Sequence, residues 1–381
     1  MIPEPLPEPN PPLAHGAKGP LAEQGPRAEK SAGYWRETWR RFRRGKVAVL
    51  ALLFVLLLFA VALFAPAIAG TKPIICKYKG SIYFPALGYF NEDWENPIFK
   101  KSPFRGIFPK GLKKDPDSWA LWPLVYQDPS RRIKAKEFGD QPENQTGDLG
   151  APNRYNWFGT NTEGIDVFAQ MVHGTRISLL IGFVATGIAA AIGIPLGAVA
   201  GYFGGWIDAI ISRIIEVVLC IPTLVLILAL IAVLEKPNIW HVMAVIGFTS
   251  WPQIARLARA EFLKLRESEF VASARALGVG RLRIMFRHIL PNALAPVLVP
   301  ITFGISSAIL IESGLSVLGI VTSPDMPSWG ALLNEGRNSF QTMWWMIVFP
   351  GLAIFLSVLA YNLIGEGLQE ATDPRLREAG K

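Results

Sequence analysis

Four stretches of this chain, residues 47–68, 177–203, 214–234 and 343–364, are apolar, nearly free of charge and long enough to cross the roughly 30 Å hydrocarbon layer of a bilayer. In that medium a backbone must satisfy its own hydrogen bonds, so each stretch is expected to cross as a helix. Two shorter stretches, 239–257 and 293–311, raise the expected number of spans to six. Hydrophobic residues make up 51 % of the 381, which excludes an ordinary soluble domain. The expectation is an all-α polytopic membrane protein.

Orientation follows from Lys and Arg beside the spans, which are retained on the cytoplasmic side. Arg36, Arg40, Arg41, Arg43, Arg44 and Lys46 precede the first span, and a basic loop, 259–291, separates 239–257 from 293–311. Lys236 and Arg337 are the only basic residues in the two short loops expected outside. An even number of spans then places both termini in the cytoplasm. The segment 70–176 is basic too, but at roughly 100 residues it is too long for the charge rule and is assigned outside by parity. The formal net charge of +8 is accounted for by these topology determinants and by the long loop, and no basic and aromatic stripe points to nucleic acid. Cys76 and Cys220 are too few and too separated in expected depth for a disulfide framework or metal site. His15, His173, His241 and His288 form no ligand spacing, so neither a metal nor a cofactor is expected.

The chain divides into a Pro-rich cytoplasmic tail (1–32) expected to be disordered, an anchor region (33–69), an outer segment (70–172), a membrane core (173–370) and a short tail (371–381). The first apolar run is too long for a signal peptide and lacks a cleavage pattern, so it should remain as an anchor. The outer segment mixes aromatic and turn residues and reads as a small irregular domain with a few short strands and little core of its own. It contains the sequon Asn144-Gln145-Thr146. Ala189, Gly193, Gly197 and Gly201 form one small-residue stripe that lets another helix approach closely. Pro195 and Pro222 free carbonyls inside the membrane, which fits kinked helices around a wet path and ordinary bundle packing alike.

Within the basic loop, Ser268 can cap a short helix with Val271, Ala274 and Leu277 on one face, ended by Gly278, and a second helix fits 281–289, stopped by Pro291. Such a helix, presenting Ala and Val outward between Glu269 and Arg275, suits a groove on another protein. The alternative is a loop that only satisfies the charge rule.

The run Glu269-Phe270-Val271-Ala272-Ser273-Ala274-Arg275-Ala276-Leu277-Gly278 resembles the coupling loop of permease subunits of binding-protein-dependent ABC importers. Their pattern is Glu-Ala-Ala, three residues, Gly, nine residues, Ile, one residue, Leu-Pro. Aligned on Gly278 and Leu290-Pro291, this chain has Ala272-Ser273-Ala274 at the first position and His288 at the Ile. The acidic residue is missing, so no role is carried over for it. Trp157-Phe158-Gly159-Thr160 with Gly164-Ile165-Asp166-Val167, the run from Gly201 to Asp208, Glu312-Ser313-Gly314-Leu315-Ser316-Val317-Leu318-Gly319, Pro327-Ser328-Trp329-Gly330 and Asp373-Pro374-Arg375 resemble the C-type subunit of dipeptide and oligopeptide importers. The outer segment is longer than the usual linker. Its start, Lys72-Pro73-Ile74-Ile75 and Gly80-Ser81-Ile82-Tyr83-Phe84-Pro85, is similar to the microcin C and oligopeptide subgroup.

The resemblance implies a bacterial inner-membrane subunit with the six-helix ABC importer permease fold. Its implied partners are a homologous second permease, two ATP-binding subunits, an extracytoplasmic binding protein, a peptide substrate and membrane lipid. ATPase coupling would fall to Glu269, Val271, Ala272, Ser273, Ala274, Arg275, Leu277 and Gly278. No catalytic residue is implied, and Arg44-Gly45-Lys46-Val47 is no phosphate loop, lacking the first Gly and the Ser or Thr. Glu312, near the outer end of a span, either faces the translocation path or its gate, or is tied to a neighbouring helix. Arg213 and Glu216 can pair on one helix face. A stand-alone secondary transporter and a membrane-anchored sensor remain as alternatives. The first would show internal repeats and charged relays, neither of which stands out.

Overall fold

The computed structural model describes residues 34–94, 117–132, 150–154, 156–235, 237–320 and 328–372. The expected disordered tail, the sequon at 144–146 and the Asp373-Pro374-Arg375 match lie outside them.

A short amphipathic helix, α1 (Tyr34–Phe42), turns through Gly45 into α2 (Lys46–Leu63), the first span. Pro66 in the first turn of α3 (Ala65–Ile68) fits a position where no N–H is needed. Next, β1 (Ile75–Tyr78) and β2 (Ser81–Tyr83) form a hairpin whose two loop residues, Lys79 and Gly80, have φ of 50° and 82°, as a twist-matched tight turn requires. With β3 (Trp119–Leu121) they make a sheet in the order β2-β1-β3, in which Cys76 faces Tyr83 and Ala120. Cys76 is the buried centre of this small sheet, and burial pushes its thiol up to about 11, which keeps it protonated and inert.

The outer segment leans on the membrane helices through polar ties. Arg176 donates to the Tyr89 carbonyl at 3.2 Å and His173 Nε2 lies 2.8 Å from the carbonyl of Ala69 at the edge of the segment, while Thr71 Oγ1 donates to Asp128 Oδ2 at 2.7 Å within it. Among its described residues, Cys76 packs with four partly buried neighbours, Tyr78, Tyr83, Ala120 and Trp122.

Asp166 caps α4 (Val167–Phe203), accepting from the Ala169 N–H at 2.7 Å. This 37-residue helix packs along α7 (Ile239–Arg266), and the small-residue stripe is the seam. A Cβ on Gly193 would lie 2.7 Å from the Trp251 carbonyl and one on Gly201 2.5 Å from that of Arg259, while one on Gly197 would overlap the carbonyl of Ala255. Pro195 stays inside the unbroken α4.

Residues 214–234, expected to cross as one span and left open to a kink at Pro222, are broken there. Here α5 (Gly205–Cys220) and α6 (Thr223–Ala232) meet at 85°. Pro222 supplies no N–H and disfavours helical geometry at the residue before it, and Ile221 is accordingly extended at φ −87°, ψ 127°.

After α7 comes α8 (Glu269–Ala276), then α9 (Arg281–Val317), α10 (Trp329–Arg337) and α11 (Trp345–Thr372). Pro291 does not stop a helix at 289. The widened π turn over Ile284–Ile289 carries the chain into the long apolar part of α9, and Asn292 Nδ2 donates to the His288 carbonyl at 2.8 Å. A wider turn relieves the crowding between a proline ring and the carbonyl four residues back. Among the described residues four helices, α2, α4, α9 and α11, are long and apolar enough to cross a bilayer, and five if the bent pair counts as one. The stretch 239–257 is the apolar start of α7, whose remaining turns carry charge.

Candidate coupling site and outer gate

The short helix α8 is built to be held on one side and open on the other. Ser268 occupies the N-cap position, but its hydroxyl donates back to the Leu265 carbonyl and caps nothing. The C-terminal end is closed by a Schellman turn. The Gly278 N–H donates to Arg275 O at 3.0 Å and that of Val279 to Ala274 O at 3.1 Å, with Gly278 left-handed at φ 75°. Val271 and Ala274 point into the protein, with Val271 fully buried, and join a cluster with Tyr202, Phe262, Ile284 and Met285. The expectation that Val and Ala face outward is therefore corrected: they fasten α8 to α4, α7 and the base of α9.

What faces outward is Glu269, Phe270, Ala272, Ser273, Arg275, Ala276, Leu277 and Gly278. Leu277 does not share the Val271 face, because the helix ends before it and leaves it 83 % exposed. Leu282 and Phe286, at the start of α9, extend the exposed apolar surface among Arg281, Arg283 and Arg287. Sequence spacing did not single out these two, because the π turn shifts the helical register. The Asp208–Arg259 pair was missed as well. The Arg259 guanidinium grips both carboxylate oxygens, with Nη2 donating to Oδ2 at 2.7 Å, and fixes α5 to α7. The expected Arg213–Glu216 pair is present on the exposed side of α5 at 2.7 Å.

At the other end of α9, Glu312 is completely buried and lines no open path in this conformation. Its Oε1 accepts from Ser316 Oγ at 2.8 Å and from Ser328 Oγ at 2.7 Å, and Ser328 Oγ in turn accepts from the Ala331 N–H at 3.1 Å. The carboxyl thus ties α9 to the N-terminus of α10. Gly330 allows the approach, since a Cβ there would lie 2.8 Å from Ser313 Cα. Further ties hold α10 to the start of α4 and α11 to the segment before it: Trp329 Nε1 donates to Met171 O at 3.2 Å and Trp345 Nε1 to Thr160 O at 2.9 Å. Glu312→Ala should lower stability by about 2 kcal/mol, because two buried hydroxyls lose their acceptor, and Glu312→Gln, which keeps one, by under about 1 kcal/mol. Thermal melts of the purified protein in mild detergent check this, and equal midpoints for the two variants would refute the joint.

Residues 193–378 match the family described as binding-protein-dependent transport system inner membrane component, and 33–80 match the N-terminal TM domain of oligopeptide transport permease C. The inner membrane ABC transporter permease protein YejE of Escherichia coli is 35 % identical over 88 % of this chain and 96 % of its own length. The chain belongs to this family of permeases. Also similar are the dipeptide transport system permease protein DppC of Alkalihalophilus pseudofirmus, 36 % identical over 61 % of this chain and 77 % of its own, and the glutathione transport system permease protein GsiD of Escherichia coli, 34 % identical over 90 % and 91 %. A solved inward-facing MetNI methionine ABC transporter chain matches 52 % of this chain and 95 % of its own at 17 % identity and a TM-score of 0.42.

As an ABC importer permease the chain is a non-catalytic inner-membrane subunit, and ATP is hydrolysed by separate subunits. The stand-alone transporter and the sensor give way to that assignment. Membership in the family also implies assembly with a second permease, ATPases and a binding protein.

Proposed function

We propose that this permease imports peptides, with both termini in the cytoplasm and α8 seated in a cleft of one of two ATP-binding subunits. The observation that carries the coupling role is the two-sided build of α8: Val271 and Ala274 are locked into their own chain while Phe270, Ala272, Ser273, Arg275, Leu277 and Gly278 are left uncovered. A displacement of α8 then reaches α7 and α9 through packed side chains, which is how a coupling free energy travels between sites. The peptide cargo is supported by the dipeptide and glutathione permeases among the relatives. A homologous permease completes the pathway, and an extracytoplasmic binding protein delivers the cargo. In this scheme Glu312 is a positioning group of the outer gate, holding α10 against α9 until the gate opens.

Mild-detergent purification of the tagged chain from its host, with mass spectrometry of what accompanies it, tests the assembly. Recovery of one homologous permease and one or two ATPases is expected. The complex in liposomes, given its binding protein, should then take up dipeptides or glutathione only with ATP. Recovery of the chain alone from a detergent that preserves such complexes would overturn the assembly, and ATP-independent or absent uptake of both cargoes would overturn the peptide reading.

A further inference from the structure

The entry to the first span carries more than topology requires. In α1 successive residues are rotated by about 100°, so Arg36, Arg40 and Arg43 lie within a narrow sector of one face, the helical turn continuing to Arg43 through its N–H bond to the Trp39 carbonyl at 3.0 Å. All three are exposed, and none has a carboxylate partner among the described residues. The acidic residue of the helix, Glu37, lies off this sector and is bound by Arg41 at 2.8 Å. Trp39 borders the sector on the other side, 50 % exposed, and stacks on Phe42 with ring centroids 5.7 Å apart.

The stripe is held in place. Phe42 and Thr38 are buried, and Phe42 and Ala48 close over Gly367 of α11, where a Cβ would come within 3.1 Å of the Phe42 ring. Its depth is also set. The 18 residues of α2 rise about 27 Å, close to the hydrocarbon thickness, so Lys46 stands at the hydrocarbon edge. Arg43 is three residues earlier, within about 10 Å of chain, inside the headgroup layer. Arg44 and Lys46 are exposed beside it.

We propose that α1 is an interfacial helix whose Arg36, Arg40 and Arg43 stripe binds the acidic phospholipids of the leaflet at which α2 begins. Guanidinium groups suit phosphate oxygens, and an exposed indole next to a cationic stripe is the layout of a helix that rests on headgroups. A topology signal acts during insertion and needs no lipid bound to the finished protein; this stripe engages lipid in the assembled protein.

The full chain, copurified with its partners, is placed in nanodiscs of phosphatidylcholine alone or with about 30 mol % phosphatidylglycerol, and hydrogen exchange of amides 34–43 is followed. Both leaflets carry the same lipid, so the result does not depend on the orientation proposed above. Exchange should slow about tenfold with phosphatidylglycerol, and about 0.5 M salt should abolish that gain. The triple variant Arg36→Gln, Arg40→Gln, Arg43→Gln should lose it, with Arg41, Arg44 and Lys46 left to direct insertion. Equal exchange of the wild-type chain in the two lipids, a gain that survives salt, or an undiminished gain in the triple variant would each overturn the proposal.

Discussion

Replacing Gly278 by valine should leave the chain inserted and folded but cut ATP-driven uptake at least about tenfold, equivalent to some 1.4 kcal/mol of coupling. Gly278 is left-handed, so a β-branched residue there costs about 1–2 kcal/mol of local strain. Its Cβ, however, meets nothing within 4 Å in this chain. The added Cβ is therefore free of this chain, and a steric effect there is expected from what docks from outside. Gly278→Asn separates the two effects, because asparagine tolerates the left-handed region yet still fills the space. Uptake and ATP hydrolysis by the reconstituted complex, with membrane-inserted amount as the control, are the readouts. Loss in both variants locates the docked subunit at this turn, whereas normal uptake with valine would count against α8 as the coupling element.

Gly197→Val should have the opposite profile, with little or no folded protein recovered. The α4–α7 seam brings backbone against backbone at three successive turns, and the added Cβ would fall on the Ala255 carbonyl and 2.8 Å from the Ala258 Cβ. Neither atom is the end of a flexible side chain, so two long helices would have to move apart, at a cost above the roughly 1–3 kcal/mol of ordinary overpacking. The same helix supplies the comparison: Gly187 has nothing within 4 Å of its would-be Cβ, and Gly187→Ala should be neutral or stabilising by up to about 1 kcal/mol. Monodispersity on gel filtration after extraction distinguishes them, and a monodisperse Gly197→Val protein would remove the seam from the account.

The stripe of Ala189, Gly193, Gly197 and Gly201 was legible in sequence because close helix approach leaves no other residue choice. The helix α8, proposed above as the coupling element, was legible in extent but not in rotation. Val271 and Ala274 recur at helical spacing whether they face a partner or their own chain, and only the folded neighbours Phe262, Ile284 and Met285 decide between these. The prolines were ambiguous for a related reason. Pro222 breaks its helix and Pro291 is absorbed by a π turn, and the choice depends on what surrounds each, which a local pattern does not contain. The ties of Thr71 to Asp128 and of Glu312 to Ser328 join residues distant in sequence and leave no periodic trace. Glu312 stood out because a carboxylate in a span is rare and must be accommodated, although its partner did not.

The anchoring of Val271 and Ala274 makes α8 a foot and not a tether. A tether would absorb a push by bending, and the stroke would be spent in the loop. A foot set into the base of α9 passes the stroke to a rod of 37 residues, about 55 Å long and so longer than the hydrocarbon layer is thick. Pushed at one end, such a rod swings at the other, in the opposite sense about any fulcrum between them. The far end of this rod carries Glu312 and its hold on α10, so in the scheme proposed above the joint at Glu312 and the foot would be two ends of one lever.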